Sequence, residues 1–159
     1  MTDDVEFGEL LVWAYRGEVS GEAIFDTLAD AWAAHDIAER LRVLAELERS
    51  MAHGLAPLLA RYELDGGNDE RSRRGGHLSA GLLTDAGWED FLSKFGPVTD
   101  DALVRYRRLE SVAPDADPVY DILIAHEEAL QAFATAELAG DAEHSLDAVR
   151  GVLARLAAR

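Results

Sequence analysis

Three helix-like stretches each carry glutamate inside an otherwise apolar stripe. The first runs Leu11, Tyr15, Glu18, Glu22, Phe25, Ala29, Trp32; the second Ile37, Leu41, Leu44, Glu48, Met51, Leu55, Leu58; the last Tyr120, Leu123, Glu127, Leu130, Ala134, Glu137. Steps of three and four put all of these side chains on one helix face, so the glutamates point where the apolar residues point. An isolated buried carboxylate is costly or takes up a proton, and several together call for a cation, arginine partners or shared protons. Glu18, Glu22, Glu48 and Glu127 are therefore the candidate metal ligands, with Glu18 as the fourth after the other three. Carboxylates alone suit magnesium, calcium or manganese, whereas an added imidazole suits iron or manganese. His53 lies beyond Glu48 on the same helix. A small rotation of the last helix would turn His126, Leu130, Phe133 and Glu137 inward. Without a metal, the groups able to satisfy the acids are the hydroxyls of Tyr15, Tyr106 and Tyr120 and the guanidinium of Arg105.

Helices must hold these residues. Residues from about Val5 to Ala33 and from Ile37 to about Tyr62 read as two long helices, and so short a link makes them antiparallel neighbours. Glu22 and Glu48 are equidistant from His35 in that link, so they lie at the same height. Asp36 with Glu39 three residues on reads as a capping box, and Pro57 is expected to kink or break the second helix. From Asp65 to Thr84, glycines flank Arg71, Arg73 and Arg74, and the pattern reads as a loop long enough to travel from one end of a helical bundle to the other. A third helical region follows Trp88, Leu92, Phe95, Ala102, Tyr106 and Leu109, interrupted at Gly96-Pro97. A fourth helix runs from about Asp117 to Ala139, and a shorter fifth from about Glu143 to Ala157. Strand signals are lacking, so the fold class is all-α.

The 159 residues and 48% hydrophobic content suffice for a single domain, 1–159, with a substantial core. Acidic residues outnumber basic ones 31 to 15, a formal charge of −16, which argues against nucleic acid or anionic membrane surfaces as partners and favours cations. The absence of cysteine excludes disulfides, thiolate nucleophiles and iron–sulfur clusters. The acidic N-terminus and the lack of a long apolar run lead to the expectation of a cytoplasmic protein. No serine or cysteine triad, phosphate-cradling loop or dinucleotide fingerprint occurs, and no catalytic residue is assigned. Trp13 and Phe91 fall off their stripes, which points to a second apolar surface covered in a homodimer.

Four long helices, a tight first hairpin, a long second connection and central glutamates resemble the ferritin-like superfamily, with the rubrerythrin-like di-iron carboxylate proteins nearest in length. The resemblance implies a ferritin-like four-helix bundle with a short C-terminal fifth helix. It also implies a metal site fed by a glutamate from the first and third helices and Glu-x-x-His from the second and fourth. Glu18 or Glu22, Glu48 and Glu127 occupy the matching glutamate positions, but Met51 and Leu130 stand where the histidines belong, and the third helix has no carboxylate on its stripe. Two functions follow: an iron or manganese oxidoreductase acting on oxygen or peroxide, or a metal-free bundle of the same fold working as a binding or assembly module.

Overall fold

The computed structural model describes residues 2–159, and these form an all-helical chain with no strand among them. The helices are α1 (Thr2–Ala31), α2 (Ile37–Arg61), α3 (Asp69–Leu83), α4 (Trp88–Ser93), α5 (Phe95–Val112), α6 (Val119–Leu138) and α7 (Asp147–Ala157). No helix among the described residues is long and apolar enough to cross a membrane.

Side-chain pairs fix the directions of the helices. The α1–α2 hairpin is antiparallel, with Arg49 bonded to Glu22 and Arg42 to Asp30. At one end Phe7 of α1 meets Tyr62 just after α2, with ring centroids 4.9 Å apart, and Arg108 of α5 pairs with Glu6. At the other end Phe25 of α1 meets Phe95 at the start of α5. The chain between α2 and α5 therefore travels the length of α1. Helix α6 returns antiparallel to α5, with Arg107 bonded to Glu128 and Gln131 to Asp100, and α7 folds back onto α6 and α2.

One apolar core takes side chains from every helix. Its two ends are aromatic. Phe7, Tyr62 and Tyr120 close one end, and Phe25, Trp32, Trp88, Phe91, Phe95 and Phe133 fill the other. Such rings bury large areas and prefer the tilted and edge-to-face contacts seen here. Phe91 is thus buried within its own chain, while Trp13, 36% exposed, lies against Tyr106 and under the Arg105 guanidinium, 4.6 Å from its ring. Arg105 also pairs with Asp101, so it does not reach an inward carboxylate.

Several local expectations are corrected. Asp36 makes no side-chain cap to α2, because its backbone is already helical and its carboxylate turns to Arg40. Helix α2 runs unbroken through Pro57, which is exposed together with His53 one turn earlier, so the carbonyl left without an amide faces water. The third helical region breaks at Lys94. Gly96 and Pro97 instead form the first turn of α5, where a proline removes no helical hydrogen bond. Glu137 does point inward, as its stripe predicts, but away from the other acids: its side chain is 3% exposed, paired with Arg40 of α2 at 2.7 Å and bonded by the Ser145 hydroxyl.

The largest correction is residues 65–84, which contain α3 rather than a structureless loop. Asn68 caps α3 by accepting from the Arg71 amide, and Asp69 and Glu70 complement the positive helix start. The glycines that suggest a loop serve packing instead. Gly76 and Ala80 lie one turn apart and are the buried residues of α3. A Cβ at Gly76 would overlap the Ser20 carbonyl oxygen of α1 and lie 2.9 Å from the Ala23 Cβ. Tyr15 to Asp69 at 3.0 Å and Thr27 to His77 at 2.7 Å anchor the two ends of the contact. Gly76→Val is expected to lift α3 from α1, at the roughly 1–3 kcal/mol cost of overpacking. Limited trypsin digestion checks this: cleavage at Arg71, Arg73 and Arg74 speeds up in the variant, and unchanged cleavage would contradict the packing.

Candidate metal centre

The polar residues of the core meet between its aromatic ends. Glu18 comes from α1, Glu48 from α2, Tyr106 from α5, and His126 and Glu127 from α6. Relative exposures are 0% for His126, 1% for Glu18, 3% for Tyr106, 5% for Glu48 and 7% for Glu127, so water does little to solvate them.

His126 is the hub. Its Nε2 lies 2.9 Å from Glu48 Oε1 and 3.2 Å from Glu18 Oε2, while its Nδ1 lies 3.7 Å from Glu127 Oε1. The Tyr106 hydroxyl donates to Glu18 Oε1 at 2.9 Å. Two buried atoms of this cluster lack a hydrogen-bond partner, Glu18 Oε2 and His126 Nδ1. One donor atom each from Glu18, Glu48 and His126 falls within 4.8 Å of the others.

Three of the four glutamates singled out by their spacing are thus brought together, and Glu22 is not. Glu22 accepts from Arg49 Nε at 2.8 Å at the edge of the α1–α2 pair. The expected height is right, but the facing is displaced by one residue: Gly21 lies against Glu48, and Glu22 faces Arg49. Adjacent residues on a helix point about 100° apart, so the hairpin delivers one residue of each pair inward and the other outward. His126 enters because α6 is buried over a wide arc. Ile122, Leu123, His126, Glu127, Ala129 and Leu130 are all withdrawn from water, as suits a helix covered by α2, α4, α5 and α7. His53 stays exposed on α2. In place of a carboxylate, the third helical region supplies the Tyr106 hydroxyl.

Burial dominates the acid–base behaviour of this cluster. It pushes Glu18 well above the ordinary carboxylate range, with His126 opposing the shift and Glu48 adding to it. It pushes Glu48 up to about 8, with the neighbouring Glu18 opposing and the Glu22 charge adding. Glu127 likewise rises to about 8 through burial, with His126 opposing. Burial and then the Glu18 charge keep the Tyr106 phenol protonated, hence a donor.

Two chemical states suit this geometry. Donor atoms bound to one first-row cation at about 2.1 Å sit roughly 3.0–3.4 Å apart, which matches the spacing of His126 Nε2 from both carboxylates. In that state Nε2 offers its lone pair and Nδ1 carries the ring proton, with the nearest Glu127 oxygen 3.7 Å away. Without a cation, Nε2–H donates to Glu48, and protons retained by the buried carboxyl groups keep the centre near neutrality. Comparison of the chain with protein-family models, with curated proteins and with solved structures finds no match in any of the three.

The shifts set the pH dependence of the metal-free protein. In the fold, Glu48 and Glu127 hold their protons up to about 8, whereas the unfolded chain releases them near 4.5. Their contribution to stability is full below pH 4.5 and is lost as pH rises through about 8. Urea unfolding of chelator-treated protein is expected to show stability falling across this window, with a shallower fall in Glu127→Gln. A stability that rises with pH there would contradict these protonation states.

Proposed function

We propose that this chain binds one divalent first-row metal ion through Glu18, Glu48 and His126, with Glu127 behind His126 and Tyr106 behind Glu18. The observation that carries the reading is Glu18 Oε2, a fully buried carboxylate oxygen without a hydrogen-bond donor, 3.2 Å from the His126 Nε2 that also approaches Glu48 Oε1 at 2.9 Å. A cation there satisfies all three atoms at once and removes the cost of their burial. An imidazole with two carboxylates favours iron or manganese, and three protein ligands leave positions open for an outside molecule.

The ferritin-like reading belongs to the same proposal. Its support is the chain path, in which two antiparallel pairs, α1–α2 and α5–α6, are joined by a crossover the length of a helix. By that resemblance an iron or manganese ion would make the site an oxidoreductase of oxygen or peroxide. The protein's part is then to hold the ligands, to keep a proton available at Tyr106 and Glu127, and to exclude bulk water. The alternative is a metal-free bundle acting as a binding or assembly module. It is favoured by the protons that Glu48 and Glu127 retain at neutral pH, which can satisfy the cluster unaided.

Elemental analysis of protein purified without chelators decides between them. One equivalent of metal per chain supports the first reading, and none at any pH up to 9 supports the second. Because ligation displaces protons, affinity is expected to rise as pH increases through about 8. Glu48→Leu should weaken binding by more than about 100-fold, and Glu127→Gln or Tyr106→Phe by about 10- to 100-fold, with helical circular dichroism retained. In a metal-free bundle, Glu48→Leu is instead neutral or stabilising, since an apolar side chain removes a buried acid.

A further inference from the structure

Helix α1 carries Gly17 and Gly21 in its middle, where glycine weakens a helix relative to alanine. Gly21 has a specific reason to be there. A Cβ built on it would overlap Glu48 Oε2 and lie 2.9 Å from Cδ and 3.3 Å from Cγ of the same side chain. The Glu48 carboxylate therefore occupies the space an alanine methyl would take. Its Oε2 lies in that space, and Oε1 is the oxygen turned toward His126 Nε2, 2.9 Å away. At Gly17, by contrast, the nearest atom to such a Cβ is the Tyr106 hydroxyl at 4.0 Å, an ordinary contact.

We infer that Gly21 is the residue that sets the selectivity of the site: it seats the outer oxygen of Glu48, so that Glu48 offers a cation one oxygen and not two. This rests on the metal-binding reading above. Calcium takes six to eight oxygens and commonly a two-oxygen carboxylate, whereas first-row cations are content with fewer single-oxygen and nitrogen donors. A site with two buried carboxylates, one of them held to a single oxygen, and one imidazole therefore excludes calcium and takes ions of the manganese-to-zinc series. Gly21 is a positioning residue and touches no substrate.

The test uses the full chain, cobalt(II) chloride as a probe with visible absorption, and calcium chloride as competitor. Wild type is expected to bind cobalt, with calcium failing to displace it at a hundred-fold excess. Gly21→Ala should bind cobalt at least ten-fold more weakly, while Gly17→Ala, the same change in helix propensity, binds as wild type. In chelator-treated protein, the His126 imidazole resonances should move in Gly21→Ala and stay in place in Gly17→Ala. If Gly21→Ala does not fold alone, Gly21→Ala combined with Glu48→Ala should, because the clashing carboxylate is gone; a double variant that also fails to fold overturns the inference. Wild-type cobalt affinity or unmoved His126 resonances in Gly21→Ala overturn it too, as does displacement by equimolar calcium, and all of these leave the metal site itself standing. Absence of cobalt binding in wild type defeats the metal site and the selectivity with it, while the His126 resonances still report whether Gly21 seats Glu48.

Discussion

Acid groups cannot be left charged and alone in a dry interior, and the middle of this protein is built around that constraint. Glu18, Glu48 and Glu127 have ion-pair contacts with His126 and with no arginine or lysine. The arginines work elsewhere: Arg49, Arg61, Arg107 and Arg108 pair with acids at the surface, where such pairs contribute little. What compensates the interior acids is local, namely one imidazole, one phenol, retained protons and, in our reading, a cation. The aromatic layers on either side keep the cluster from water and make each of its contacts electrostatically stronger.

The same constraint aligns the helices. Glu48 sits opposite Gly21, in the space a side chain there would fill, and its neighbour Arg49 meets Glu22 outside. A shift of α2 along α1 by one turn would set Leu44 or Met51 among the polar groups, and in one of the two directions would bring Glu48 against Phe25. Apolar layers alone tolerate such slips more readily, since leucine and methionine exchange places at small cost. The polar cluster thus acts as a register mark, a role best attested for buried polar residues in helical assemblies. The Arg40–Glu137–Ser145 contact does similar work at the far end of α6, tying it to α2 and to the turn before α7.

Much of this arrangement is legible in the sequence, because the long helices announce themselves by period and the inward glutamates interrupt that period. Glu18, Glu48 and Glu127 meet as their stripes require. Glu22 belongs to the same stripe by spacing, but a stripe spans enough of the helix for its edge to face a neighbouring arginine. His126 lies next to the stripe of α6, on the face that a small rotation brings inward, and both faces are buried because α6 is covered on several sides. Helix α3, by contrast, is hidden from pattern reading. It packs through Gly76 and Ala80, whose small size is the attraction, so hydrophobic periodicity has nothing to register there.

That mode of attachment sets α3 apart energetically. Its apolar attachment is limited to Gly76, Ala80 and the partly buried Leu83, since Leu78 and Leu82 already face solvent. The hydrophobic cost of opening is smaller than for the helices that feed the core along their length. Helix α3 is then the cheapest cooperative unit to release, and its amides are the natural first to exchange with solvent while α1, α2, α5 and α6 stay closed around the core. Release of α3 uncovers Ala80 and Leu83 at the edge of the core, yet the acidic centre, which takes its residues from α1, α2, α5 and α6, keeps every one of its members.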